Sequence, residues 1–98
     1  MSVRIGLLAT LKAKPGKGDE LGAFLKAGRE LAVAEPGTVS WYAFKIDEET
    51  YGIFDTFEGE DERQAHLHGE IPEALSAVGG QLLAEDPDIR QIDVLAVK

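Results

Sequence analysis

Cysteine is absent from all 98 residues, and with it go disulfides, thiolate nucleophiles, cysteine-ligated zinc and iron–sulfur clusters. That fits a reducing cytoplasm. Basic residues are few, 10 against 18 acidic, for a formal charge of -8. Nucleic-acid affinity comes chiefly from clustered Lys and Arg, and these ten are scattered, so no nucleic-acid partner is expected. No stretch approaches the ~20 apolar residues of a membrane span. Met1-Ser2-Val3-Arg4-Ile5 also lacks the basic region and apolar run of a signal peptide, so the expectation is a soluble, cytoplasmic protein with no membrane partner. Gly16-Lys17-Gly18 does not follow a phosphate-loop pattern, and neither Ser40 nor Ser76 sits in a nucleophile elbow.

What is present is a globular mix, 44% hydrophobic and 29% charged, which suits a single domain over residues 1–98. Val3 to Lys14 reads as a strand closed by the turn Pro15-Gly16-Lys17-Gly18. Leu21, Phe24, Leu25, Leu31 and Ala32 then follow helical spacing to about Ala34, where Glu35-Pro36-Gly37 stops the helix. Thr38–Ile46 and Thr50–Glu58 read as a hairpin turning at Asp47-Glu48-Glu49. A short polar helix is expected over Glu60–Leu67 with Asp61 as its cap, a second from Pro72 to Ala84, and a last strand over Ile89–Val97. The order β-α-β-β-α-β predicts an α+β ferredoxin-like sandwich with a four-stranded antiparallel sheet and both helices on one face. Leu7 against Leu8, Phe54 against Ile53 and Phe57, and Val94 against Leu95 place apolar residues on both sides of the strands. One chain has helices for only one side, so a homodimer joined sheet face to sheet face is expected.

His66 is the natural proton acceptor in a chain without cysteine, because its unperturbed pKa lies near neutrality. Spacing alone favours a solvated surface histidine among Glu62 and Glu70. Glu62, His66 and Glu70 at i, i+4 and i+8 suit a divalent metal only if the helix continues past Gly69, so no metal site is expected. Six of the seven aromatics, Trp41, Tyr42, Phe44, Tyr51, Phe54 and Phe57, fall in the hairpin, as core and interface packing or as a pocket for a flat ligand. Alternation puts Asp55 on one face with Tyr51, Ile53 and Phe57. There it either pairs with a cation across the dimer, Arg4, Arg90 or Lys45, or accepts protons in a cavity.

Lys14-Pro15-Gly16-Lys17, Glu35-Pro36-Gly37-Thr38, Trp41, Tyr51-Gly52-Ile53-Phe54-Asp55-Thr56-Phe57 and Ala65-His66-Leu67, in this order over nearly the whole chain, resemble the antibiotic biosynthesis monooxygenase family of dimeric α/β barrels. The resemblance implies a pocket between sheet and helices, and oxidation of an electron-rich phenol, anthrone or quinol by O2 with no metal, flavin or haem cofactor. It places the family's histidine at His66 and aromatic positions at Trp41 and Phe57. The chain has no asparagine and only one tryptophan, which departs from the haem-degrading relatives. Three readings follow: a cofactor-independent monooxygenase using His66 and Asp55, with Trp41, Tyr51 and Phe57 binding a small aromatic; a non-catalytic dimeric small-molecule-binding protein; or a dimer whose cavity is filled by its own aromatics. Asp47-Glu48-Glu49 and Glu58, Glu60, Asp61 and Glu62 form an acidic rim that favours a neutral ligand over an anionic one.

Overall fold

The computed structural model describes residues 3–98. Its elements run β1 (Ile5–Lys12), α1 (Gly18–Ala34), β2 (Thr38–Lys45), β3 (Thr50–Phe57), α2 (Glu60–Leu67), α3 (Glu70–Leu82) and β4 (Asp88–Asp93). The four strands form one sheet in the order β2-β3-β1-β4, and every neighbouring pair is antiparallel. This is the ferredoxin-like α+β arrangement read from the element order. Among the described residues, no helix is long and apolar enough to cross a membrane.

Each boundary has a local cause. Gly16 takes a φ of 79° in the turn after β1, a left-handed conformation that suits glycine. Asp19 and Glu20 lie in the first turn of α1, where they complement its dipole. Glu35 caps the far end of that helix with extended backbone, as expected before Pro36. Gly59, not Asp61, is the N-cap of α2, and Asp61 lies inside its first turn. The last helix starts at Glu70, two residues earlier than Pro72 suggested. Proline is tolerated there because first-turn N–H groups have no intrahelical acceptor. The final strand ends at Asp93, so Val94 and Leu95 are not strand residues and Leu95 is exposed, contrary to the expectation of a strand to Val97.

The core lies between the helices and one sheet face. Leu7, Ala9, Leu11, Tyr51, Ile53 and Phe57 meet Leu21, Leu25, Ile71, Leu75 and Leu82 there. Phe57, Leu11 and Leu21 are fully buried, each worth about 1.5–3 kcal/mol of transfer free energy. The opposite face carries Leu8, Thr10, Tyr42, Phe44, Phe54 and Ile92 by alternation. Tyr42 stacks on Phe54 with ring centroids 6.4 Å apart, yet Tyr42 remains exposed, so this face is open in the single chain.

Candidate functional site

Helix α2 is eight residues long and carries no apolar stripe, too short and too polar to persist by its own propensity. Two buried polar side chains one turn apart, Arg63 and His66, hold it to the sheet. Arg63 donates to the Gly6 carbonyl at 3.3 Å and to Glu60 Oε2 at 3.0 Å. His66 reaches in the same direction and is 6% exposed, so the surface-histidine reading is overturned.

The imidazole sits between two carboxylates. Nε2 lies 3.0 Å from Asp55 Oδ2, and Nδ1 lies 2.6 Å from Glu35 Oε1. Phe57 packs against the ring at 5.2 Å between centroids, with the planes 49° apart. Burial alone would lower the pKa of His66; the Asp55 and Glu35 carboxylates on its two nitrogens outweigh this and hold it above the ordinary 6.5. Asp55 therefore pairs within its own chain, not with Arg4, Arg90 or Lys45, because α2 docks His66 directly over the core face of β3. Its Oδ1 is buried without a hydrogen-bond partner, as is Nε1 of Trp41 on the residue directly across the strand pair.

Glu35 is the residue that sequence reasoning missed. It was legible only as a helix stop, and no short motif connects it to a histidine 31 positions away. Thr38 Oγ1 donates to the same Oε1 at 2.7 Å. The Glu35 side chain is 20% exposed, whereas that of Asp55 is 2% exposed. The histidine thus has a sealed carboxylate on one side and a solvent-facing one on the other.

Two spaces adjoin His66. One, of about 40 Å³, is bounded by Leu7, Ile53, Asp55, Ile71 and Leu75. A cavity of ~150 Å³ is the size that admits benzene, so this one holds a water-sized group and not an aromatic ring. The expected ligand-sized pocket between sheet and helices is therefore not present at Asp55. The other is an open groove of about 550 Å³ between the end of α1, the start of β2 and α2. Pro36, Thr38, Val39 and Ala65 line it with His66 and Glu35, and Glu58, Asp61 and Glu62 lend it negative charge.

Of the other predicted site residues, Phe57 lies beside His66 and Trp41 and Tyr51 do not. Phe57 is wholly buried, with its ring against the imidazole. Trp41 faces α1 near Gly28. Tyr51 is four residues from Asp55 along the strand, ~13 Å at the usual rise, and lines a separate groove of about 380 Å³ with Ala43 and Phe44. Among the described residues no group of three metal-ligating side chains occurs, at Glu62, His66 and Glu70 or elsewhere.

No protein-family model matches the sequence. No curated protein matches it either. Among solved structures, a protein of unknown function from Nitrosomonas europaea is 43% identical over 98% of this chain and 93% of its own, with a TM-score of 0.96. A candidate antibiotic biosynthesis monooxygenase from Caulobacter crescentus is 26% identical, covering 96% of this chain and 92% of its own, with a TM-score of 0.79. A second such candidate, from Chloroflexus aurantiacus, is 22% identical at a TM-score of 0.74 over 97% of this chain and 96% of its own, and shares the fold. These likenesses and the shared βαββαβ architecture support the resemblance to the antibiotic biosynthesis monooxygenase family that the sequence carries.

Proposed function

We propose that the chain is a cofactor-independent monooxygenase that oxidises a small neutral aromatic, of quinol, phenol or anthrone type, with O2. The observation that carries this reading is a buried histidine, with a carboxylate on each ring nitrogen, in the wall of a ligand-sized groove. Asp55 holds the Nε2–H, which leaves the basic lone pair of neutral His66 on Nδ1, on the side of Glu35 in the groove wall. A phenol has a pKa of about 10, so its proton moves uphill to an ordinary imidazole, and a histidine held above 6.5 narrows that gap. The resulting anion is electron-rich enough to react with O2 directly. For an anthrone-type substrate, CH2 becomes C=O and the second oxygen atom leaves as water, so atoms balance without an external reductant. The acidic rim of Glu58, Asp61 and Glu62 disfavours an anionic substrate.

The working unit in this reading is a homodimer joined through the open sheet face. A stacked Tyr42–Phe54 pair beside Leu8 and Phe44 is apolar surface of the kind a second copy covers.

Oxygen uptake with a panel of quinols and anthrones tests the reaction. Turnover that falls on the order of 100-fold in His66→Ala supports it. Binding of aromatics, seen as quenching of Trp41 fluorescence, without oxygen uptake points instead to a non-catalytic binding protein. Turnover unchanged by His66→Ala removes the mechanism.

A further inference from the structure

The basic nitrogen of His66 does not open onto the groove. Glu35 stands between them: its Oε1 is 2.6 Å from Nδ1, and its carboxylate lines the same groove. Oε1 already accepts from Thr38 Oγ1, so Oε2 is the oxygen left for a group in the groove. Gly69 leaves room for it, since a Cβ there would come within 3.2 Å of Oε2. Asp55 offers no second route, because its side chain is sealed from solvent and its unpartnered Oδ1 is buried.

We infer that Glu35 is the proton shuttle of this site, carrying the substrate's hydroxyl proton from the groove to Nδ1 of His66 and returning it to water after turnover. The inference rests on the oxidation reading for its substrate and on geometry alone for its route. Oε2 accepts the hydroxyl proton and the ligand becomes an anion. Rotation of the carboxyl group turns the new O–H toward Nδ1, His66 takes the proton to become imidazolium, and Glu35 is again a carboxylate. The reverse sequence discharges the imidazolium to solvent. Asp55 is a positioning residue throughout, because it keeps the Nε2–H and touches neither groove nor substrate.

The groups facing His66 agree with this division. Asp55 comes from β3 and Glu35 from the end of α1, while Glu58, Asp61 and Glu62 stand around the groove. Leu7 and Ala9 of β1, Thr38 and Val39 of β2, and Ile71, Pro72 and Leu75 of α3 add no charge. Arg63 is turned to Gly6 and Glu60 instead. Among the described residues, Glu35 is therefore the one carboxylate that touches both the imidazole and the groove.

Glu35→Gln tests the shuttle, because its amide keeps a carbonyl oxygen for Thr38 Oγ1 but cannot carry a proton. Its oxygen uptake should fall on the order of 100-fold in dilute buffer. Added formate or imidazole should restore much of the loss while leaving the wild-type rate unchanged. Glu35→Asp, which keeps a carboxylate, should be less impaired and should also respond to buffer. A Glu35→Gln rate equal to wild type, or a loss that no small base repairs, overturns the shuttle. The second arm needs no substrate: in protein labelled with 15N-histidine, exchange of the His66 ring protons with water should slow several-fold in Glu35→Gln. Equal exchange rates overturn the shuttle even if the wild type oxidises none of the aromatics. Slower exchange in a protein without oxygen uptake refutes the oxidation reading and leaves the proton route standing.

Discussion

Nδ1 of His66 lies 2.6 Å from Oε1 of Glu35, which ties the C-cap residue of α1 to the last turn of α2 across 31 positions of chain. The contact joins α1 to α2 at the mouth of the groove. It also makes the histidine's proton a part of the fold, because an imidazolium there is held by Glu35 and Asp55 together.

Stability should therefore depend on pH through His66. Its folded pKa is raised above the ordinary 6.5, so the native state binds the proton more tightly than the unfolded chain. This contribution is fully present below about pH 6.5 and is lost as pH rises through the folded value. Thermal unfolding at a series of pH values, beside an NMR titration of His66, checks it. In His66→Gln the decline of Tm over that window should flatten, and an unchanged slope would sink the assignment.

Asp55 is the sealed partner, so its removal leaves a buried imidazole N–H without an acceptor. Asp55→Ala should cost about 3–5 kcal/mol, the penalty for breaking a buried pair, and Asp55→Asn about 1–3 kcal/mol because one hydrogen-bonding oxygen remains. Urea denaturation at pH 6 measures both. Losses below about 0.5 kcal/mol would show that His66 does not depend on Asp55.

Trp41 Nε1 is buried without an acceptor, an unfavourable arrangement that phenylalanine would avoid. Trp41→Phe should thus stay within about 1 kcal/mol of wild type despite the smaller ring. Trp41→Ala, which also empties the space beside Gly28, should cost about 2 kcal/mol or more. Equal losses for the two variants in chemical denaturation would contradict the unpaired N–H.

Gly6 lies in the centre of the sheet, where an added Cβ would stand 2.5 Å from the Asp55 carbonyl oxygen and meet Ile92. Its own carbonyl accepts from Arg63, the strut under α2. Gly6→Ala should therefore destabilise the protein by about 1–3 kcal/mol and shift the His66 resonances through α2. Unperturbed stability and an unmoved His66 signal would argue against this packing.

The open sheet face should govern assembly. Sedimentation of the wild type should give about twice the 10.6 kDa chain mass, and Phe54→Glu or Tyr42→Arg should return it to one chain. A wild-type monomer at micromolar concentration, or a dimer indifferent to both changes, would place the partner elsewhere.

Much of the fold was legible because its signals are local. Alternation placed Tyr51, Ile53, Asp55 and Phe57 on one face, all of them buried in the structure. The hairpin turn, the helix stop at Glu35 and the span of α2 fall where short-range turn and capping chemistry put them. The fourth strand was overrun because Val94, Leu95 and Val97 have strand-like side chains, while β4 as a ladder ends where its pairing with β1 ends, at Asp93 opposite Ile5.

The chain's sequence by itself determined element order, the antiparallel sheet, the face on which Asp55 stands, and the lack of any thiol chemistry. Periodicity and composition carry that information within a few residues. Only the tertiary structure decided that His66 points inward, that Asp55 meets it rather than a cation, and that Glu35 closes the other side. Those three side chains come from β3, α2 and the end of α1, and their meeting depends on how α2 packs across the strand and the helix end. An eight-residue polar helix contains no pattern that says which of its faces will be buried; Arg63 and His66 acquire that role from the carbonyl and carboxylates that await them.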